Sequence, residues 1–111
     1  RRMVETNGAR FVVLVVAGRE QVDQRSWDEI VRTHPAMQEV EWNVYGPEQR
    51  VARWCDEKRV TCLRLSEVFL AARGSVGPLH YHYDGHWTPA GHRLAAETVA
   101  RFLRDSDMLV R

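Results

Sequence analysis

Apolar residues run unbroken from Phe11 to Ala17, bounded by Arg10 and Gly18. The β-branched stretch Phe11 to Val16 has no polar alternation, so it predicts a strand buried on both faces, the habit of parallel sheets covered by helices. A second apolar run, Val60 to Leu65, predicts another strand. Between them, Ser26-Trp27-Asp28-Glu29 has capping-box spacing. A short helix is therefore predicted from Ser26 to Pro35. Gly46-Pro47 predicts the start of a further helix, with Pro47 suited to the first helical position. Val51, Trp54 and Cys55 fall at helical spacing and mark its expected buried stripe. Ala36 to Tyr45 shows no clear period and reads as an extended connection.

The flanks complete this pattern. Arg1 to Asn7 reads as the end of a helix closed by Gly8, and Ser66 to Arg73 as a short helix carrying Val68, Phe69 and Ala72. Gly74 to Trp87 is a long loop holding three of the five histidines. Loops of that length are usually functional or mobile. The last helix is the clearest element. Thr88 suits the N-cap, Pro89 the first position, and Leu94, Ala95, Val99, Phe102 and Leu103 share one face. Gly91 in its first turn would let a neighbouring backbone approach closely. Strand, helix, strand, helix, loop, helix is the order of a doubly wound α/β domain with a parallel sheet.

Composition narrows the partners. With 111 residues, 44% hydrophobic and 28% charged, one domain with a modest core is expected over 1–111. The net charge of +1, with both signs interspersed, gives no footprint for nucleic acid. The longest apolar run falls far short of the roughly 20 residues a membrane span requires. Cys55 and Cys62 lack metal-type spacing and are expected to be inert buried thiols, with a disulfide left open. Because the chain begins at Arg1, it reads as a piece of a longer one, and compartment stays open.

The chemistry gathers in Tyr81-His82-Tyr83-Asp84-Gly85-His86-Trp87-Thr88-Pro89-Ala90-Gly91-His92. In an extended stretch, residues two apart point to the same side. Asp84 can then hold the ring of His86 as a proton acceptor, the orienting half of a nucleophile–base–acid triad. Singly, Asp84 would read as a loop cap and His86 as a half-buried histidine near a helix start. Together with Trp87, Thr88, Pro89 and Gly91 the dyad is the stronger reading. His80 and His82 read as loop surface or cleft lining, and His92 as facing solvent or the loop.

Asp84-Gly85-His86-Trp87-Thr88-Pro89-Ala90-Gly91-His92, followed by an alanine-rich helix, resembles the last conserved block of the SGNH (GDSL-type) hydrolase superfamily. The single residue between Asp84 and His86, with Trp87 following, is closer to the branch resembling alginate O-acetyltransferases. The resemblance implies a partial doubly wound, flavodoxin-like three-layer sandwich whose N-terminal half lies outside the chain. It further implies an ester hydrolase or O-acyltransferase acting through a Ser–His–Asp triad, with Asp84 and His86 as catalytic residues. No cofactor is implied, and the substrate would be a small acyl ester or acylated carbohydrate. The family's Gly-Asp-Ser block and its oxyanion-hole residues are absent. Ser26, Ser66, Ser75 and Ser106 lack the setting of a nucleophile, so the serine is expected from elsewhere and the isolated chain to be inactive. Surface exposed by the missing half could support self-association.

Two other readings stand beside this one. His80-x-His82-x-Asp84-Gly85-His86 is one residue away from the His-x-His-x-Asp-His run of metallo-β-lactamase-like hydrolases. On that reading His80, His82, Asp84 and His86 would bind zinc and activate water. The third reading is a catalytically inactive SGNH-like binding or structural domain, since a fold does not secure a function.

Overall fold

Val12, Val13, Leu14 and Val15 pair in parallel with Thr61, Cys62, Leu63 and Arg64. This two-stranded sheet organises an α/β chain whose computed structural model describes residues 1–108. In chain order the elements are α1 (Arg2–Thr6), β1 (Val12–Val15), α2 (Arg19–Val22), α3 (Gln24–Thr33), a 3-10 turn (Pro35–Met37), α4 (Gly46–Lys58), β2 (Thr61–Arg64), α5 (Ser66–Ala72) and α6 (Pro89–Asp105). The predicted strands and the helices at Gly46, Ser66 and Pro89 are all present, and α1 closes at Gly8 with a positive φ of 73°. Among the described residues, no helix is long and apolar enough to cross a membrane.

Several expectations change on contact with the fold. β1 is not buried on both faces. Helix α4 packs against both strands, yet Leu14 and Val16 remain exposed. Ser26 does not head its helix. Asp23 is the N-cap of α3, accepting from the Arg25 amide at 3.2 Å and from the Ser26 hydroxyl at 2.6 Å. Asp and Ser three residues apart offer two possible caps, and the carboxylate that can accept both bonds wins. The Ser26 bond also holds the Asp23 carboxyl below its usual range.

The buried stripe of α4 is not the predicted one either. Cys55 is fully buried, but Val51 and Trp54 are exposed. The other buried residue of α4 is a carboxylate, Glu48. It accepts from Ser66 Oγ at 2.7 Å and from Gln21 Nε2 at 3.0 Å, with Arg64 Nη1 at 3.6 Å. Burying a charge is costly unless it is paired and hydrogen-bonded, and Glu48 has both. Its place in the first turn of α4 adds a favourable helix dipole. Through Gln21 and Ser66 it links α4 to α2 and α5. Cys55 and Cys62 are free thiols, the second only half-buried. Burial, reinforced by Cys55, raises the Cys62 pKa to about 11, which keeps it unreactive at neutral pH.

The core lies beyond the C-terminal ends of the strands. Ala17, Val22, Leu65, Phe69, Leu79 and Ala95 form it, with Trp87 and Leu94 packed alongside. Phe69 is fully buried, and its burial contributes on the order of 2–3 kcal/mol. Thr88 caps α6 as predicted, accepting from the Gly91 amide at 3.2 Å while its hydroxyl donates to the Pro78 carbonyl at 2.6 Å. The loop and the helix start are thus held by one side chain.

Gly91 makes the close approach that its position suggested. A Cβ built there would stand 2.3 Å from the Leu79 carbonyl oxygen and 3.1 Å from Trp87 Cβ. The obstacle is backbone, which cannot swing aside. Gly91→Ala is therefore expected to destabilise the fold by roughly 1–3 kcal/mol through overpacking, despite alanine's better helix propensity. Denaturant unfolding of the two proteins checks this, and an unchanged midpoint would contradict it.

Candidate active site at the tip of a hairpin

The segment read as irregular loop folds back on itself. The Thr88 amide donates to the Leu79 carbonyl at 3.0 Å and the Tyr81 amide to the His86 carbonyl at 2.8 Å. Between them His80 and Trp87 form an antiparallel bridge. The chain reverses between Tyr81 and His86, where the Gly85 amide donates to the Tyr81 carbonyl at 3.1 Å. Gly85 has φ of 73°, the left-handed region that glycine enters without strain.

Asp84 and His86 are brought together, but not by an extended backbone. Asp84 Oδ1 accepts from the His86 amide at 2.9 Å, which makes an Asx-turn. The other oxygen, Oδ2, then stands 3.4 Å from His86 Nδ1. One carboxylate therefore both builds the turn and faces the ring. The His86 amide, with the imidazole adding to it, holds the Asp84 carboxyl below the usual carboxylate range. Both side chains are open to solvent, His86 at 83% and Asp84 at 60%.

The base of the hairpin is fixed to the end of β1. The Ala17 carbonyl accepts from His80 Nε2 at 3.0 Å and from Trp87 Nε1 at 3.1 Å. Phe69 lies beneath, its ring centroid 5.6 Å from His80 and 5.2 Å from Trp87. His80 is thus a half-buried anchor, and Trp87 is packing. His92 is exposed and meets Trp87 edge-on at 5.5 Å, whereas His82 meets Tyr83 edge-on at 4.9 Å. Two clefts of about 290 and 280 Å³ lie beside the hairpin, sharing Arg19 and His82 in their walls. Neither of them is lined by Asp84 or His86. Arg19 and Glu48 carried no sequence signal; both look like residues of a solvated face until the fold encloses them.

The zinc arrangement does not assemble. Among the described residues, no group of three or more His, Cys, Asp or Glu side chains could hold a metal ion. His80 sits in the bridge with Nε2 bound to the Ala17 carbonyl, while Asp84 and His86 occupy the tip. The serines follow the same logic. Ser26 donates to Asp23 and Ser66 to buried Glu48, so both hydroxyls are committed to structure.

The family model described as SGNH hydrolase-like domain, acetyltransferase AlgX, matches residues 1–110. Comparison with curated proteins and with solved structures gives no match. The chain belongs to the SGNH hydrolase-like, acetyltransferase AlgX family.

Proposed function

We propose that Asp84 and His86 are the acid and base of a Ser–His–Asp triad that hydrolyses or transfers an ester-linked acyl group, with the serine outside residues 1–111. The observation that carries this reading is the double use of the Asp84 carboxylate. Its Oδ1 is fixed by the His86 amide, so Oδ2 is presented to Nδ1 at 3.4 Å. A ring held from that side keeps its proton on Nδ1 and leaves Nε2 as acceptor. Contacts of this kind commonly tighten when substrate binds.

The reaction then runs in two balanced steps. The serine oxygen bonds to the ester carbonyl carbon as its proton passes to His86 Nε2. The carbon–oxygen bond to the leaving alcohol breaks, and that alcohol takes the proton back. Water or a sugar hydroxyl next attacks the acyl-enzyme, giving its proton to Nε2, which passes it to the serine oxygen as the acyl–serine bond breaks. Asp84 stabilises the imidazolium at each stage. An acylated carbohydrate or small acyl ester suits this chemistry and the acetyltransferase family.

Asp84 should titrate below the ordinary carboxylate midpoint of about 3.9. Because its folded pKa is depressed, the stabilisation it gives the turn is full above that ordinary value and is lost as pH falls through its own lower pKa. Carboxyl carbon NMR across pH 2 to 6 reads this directly, and a midpoint at or above the ordinary one would refute it.

In the intact enzyme His86→Ala should cut turnover of a small acetyl ester by at least about 10²–10⁴-fold. Near-wild-type activity would reject the dyad. Asp84→Asn keeps an oxygen for the turn but removes the charge, so kcat should fall by about 10²-fold or more while folding is retained. An intact wild-type protein that never turns over acyl esters would favour the binding-domain reading instead.

A further inference from the structure

Asp84 and His86 ride on a tip that makes few bonds of its own. From Tyr81 to His86 the turn is closed by two backbone hydrogen bonds and the Asp84 carboxylate. Among the described residues, one side chain from another element hydrogen-bonds this tip. Arg19 Nη1 donates to the His82 carbonyl across the gap from α2. The arginine is itself restrained. Its Nε and Nη2 both donate to Glu20 Oε1, at 3.2 and 2.9 Å, and its side chain is only 18% exposed. The stem borders the turn as well, since a Cβ built on Gly85 would stand 3.9 Å from Arg19 Cβ.

The placement follows from the chain. Arg19 comes two residues after Ala17, whose carbonyl anchors His80 and Trp87. The segment from Ala17 to Arg19 therefore meets the hairpin at its base through the carbonyl and at its tip through the guanidinium. A hydrogen bond from a charged donor is stronger than a neutral one, and a shielded guanidinium has fewer alternative partners in water.

We propose that Arg19 is a positioning residue: by holding the His82 carbonyl it fixes the tip of the hairpin and thereby the orientation of Asp84 and His86. This rests on the triad reading above, because orientation matters only if His86 acts on a substrate. Arg19 does not touch either residue's reactive atoms. Its effect passes through the backbone of His82 to Gly85.

The test uses the intact enzyme with Arg19→Ala, Arg19→Lys and, as a control, His86→Ala. In Arg19→Ala, amide exchange at Tyr83 to His86 should quicken by about tenfold or more, with α6 unchanged. Turnover of a small acetyl ester should show kcat lowered about tenfold to a hundredfold at nearly constant KM, because the misplacement is small. Added guanidinium should restore part of that loss. Should Arg19→Ala not fold, Arg19→Lys keeps the test, with a smaller fall in kcat and no rescue.

Unchanged exchange at the tip would overturn the proposal outright. A loosened tip with unchanged kcat would overturn the positioning role while leaving His86 in place, provided His86→Ala is silent. A raised KM at constant kcat would make Arg19 a substrate contact instead. Activity in His86→Ala would sink the triad reading, and the exchange data would still decide whether Arg19 holds the tip.

Discussion

One backbone carbonyl, that of Ala17, receives two ring N–H groups from opposite arms of the hairpin, His80 Nε2 and Trp87 Nε1. A carbonyl oxygen has two lone pairs, and here both are used. This matters because Ala17 follows β1 and is almost completely buried in the core. The hairpin is therefore hung from the end of the sheet. Without that carbonyl, His80 and Trp87 would each leave a half-buried N–H without its partner. The aromatic contacts with Phe69 are worth about 0.5–1.5 kcal/mol each beyond area burial. The hydrogen bonds specify where the rings sit, and the apolar contacts hold them there.

The second fixed point is the close approach of α6 to the hairpin at Gly91 and Leu79. Thr88 serves both sides of it, capping the helix and donating to Pro78. Base and helix start are thereby rigid. The tip is different, since past Tyr81 the chain keeps no buried side chain until Thr88. A scaffold of this form places the turn carrying Asp84 and His86 accurately while leaving it open to solvent. The Glu48 cluster does comparable work at a distance, drawing α4, α2 and α5 together around a paired carboxylate. Its three partners come from two separate stretches of chain, Gln21 from one and Arg64 with Ser66 from the other.

Periodic features were legible in the sequence, and features decided by distant contacts were not. Both strands, the Gly46-Pro47 helix start, the Thr88 cap and the tight packing at Gly91 follow from local rules. So does the nearness of Asp84 and His86, although the reason differed. An extended backbone would place them on one side, yet Asp-Gly is itself a turn signal, and the positive φ of Gly85 makes the geometry an Asx-turn. The α4 stripe departs from its periodicity because burial depends on what lies opposite. Trp54 looks apolar and is exposed, while Glu48 looks exposed and is buried. Arg19 was invisible for the same reason. Its partner carbonyl is 63 residues away.

The exposure of Asp84 and His86 bears on the triad proposed for them. Opposite charges in water attract only weakly, and exposed pairs commonly contribute little to stability. With the side chains of His86 and Asp84 83% and 60% exposed, the two cannot owe their arrangement to that attraction. The turn supplies it instead, through a main-chain bond that is made whether or not the ring is charged. The backbone therefore sets the geometry of the proposed dyad in advance. Once substrate or another surface displaces water from the ring, the same separation acts in a lower dielectric and the Asp84 charge gains several-fold in effect. A carboxylate whose position is already fixed can deliver that gain with no reorganisation of its own. An open, preformed dyad is thus consistent with a site whose electrostatics are completed by whatever covers it.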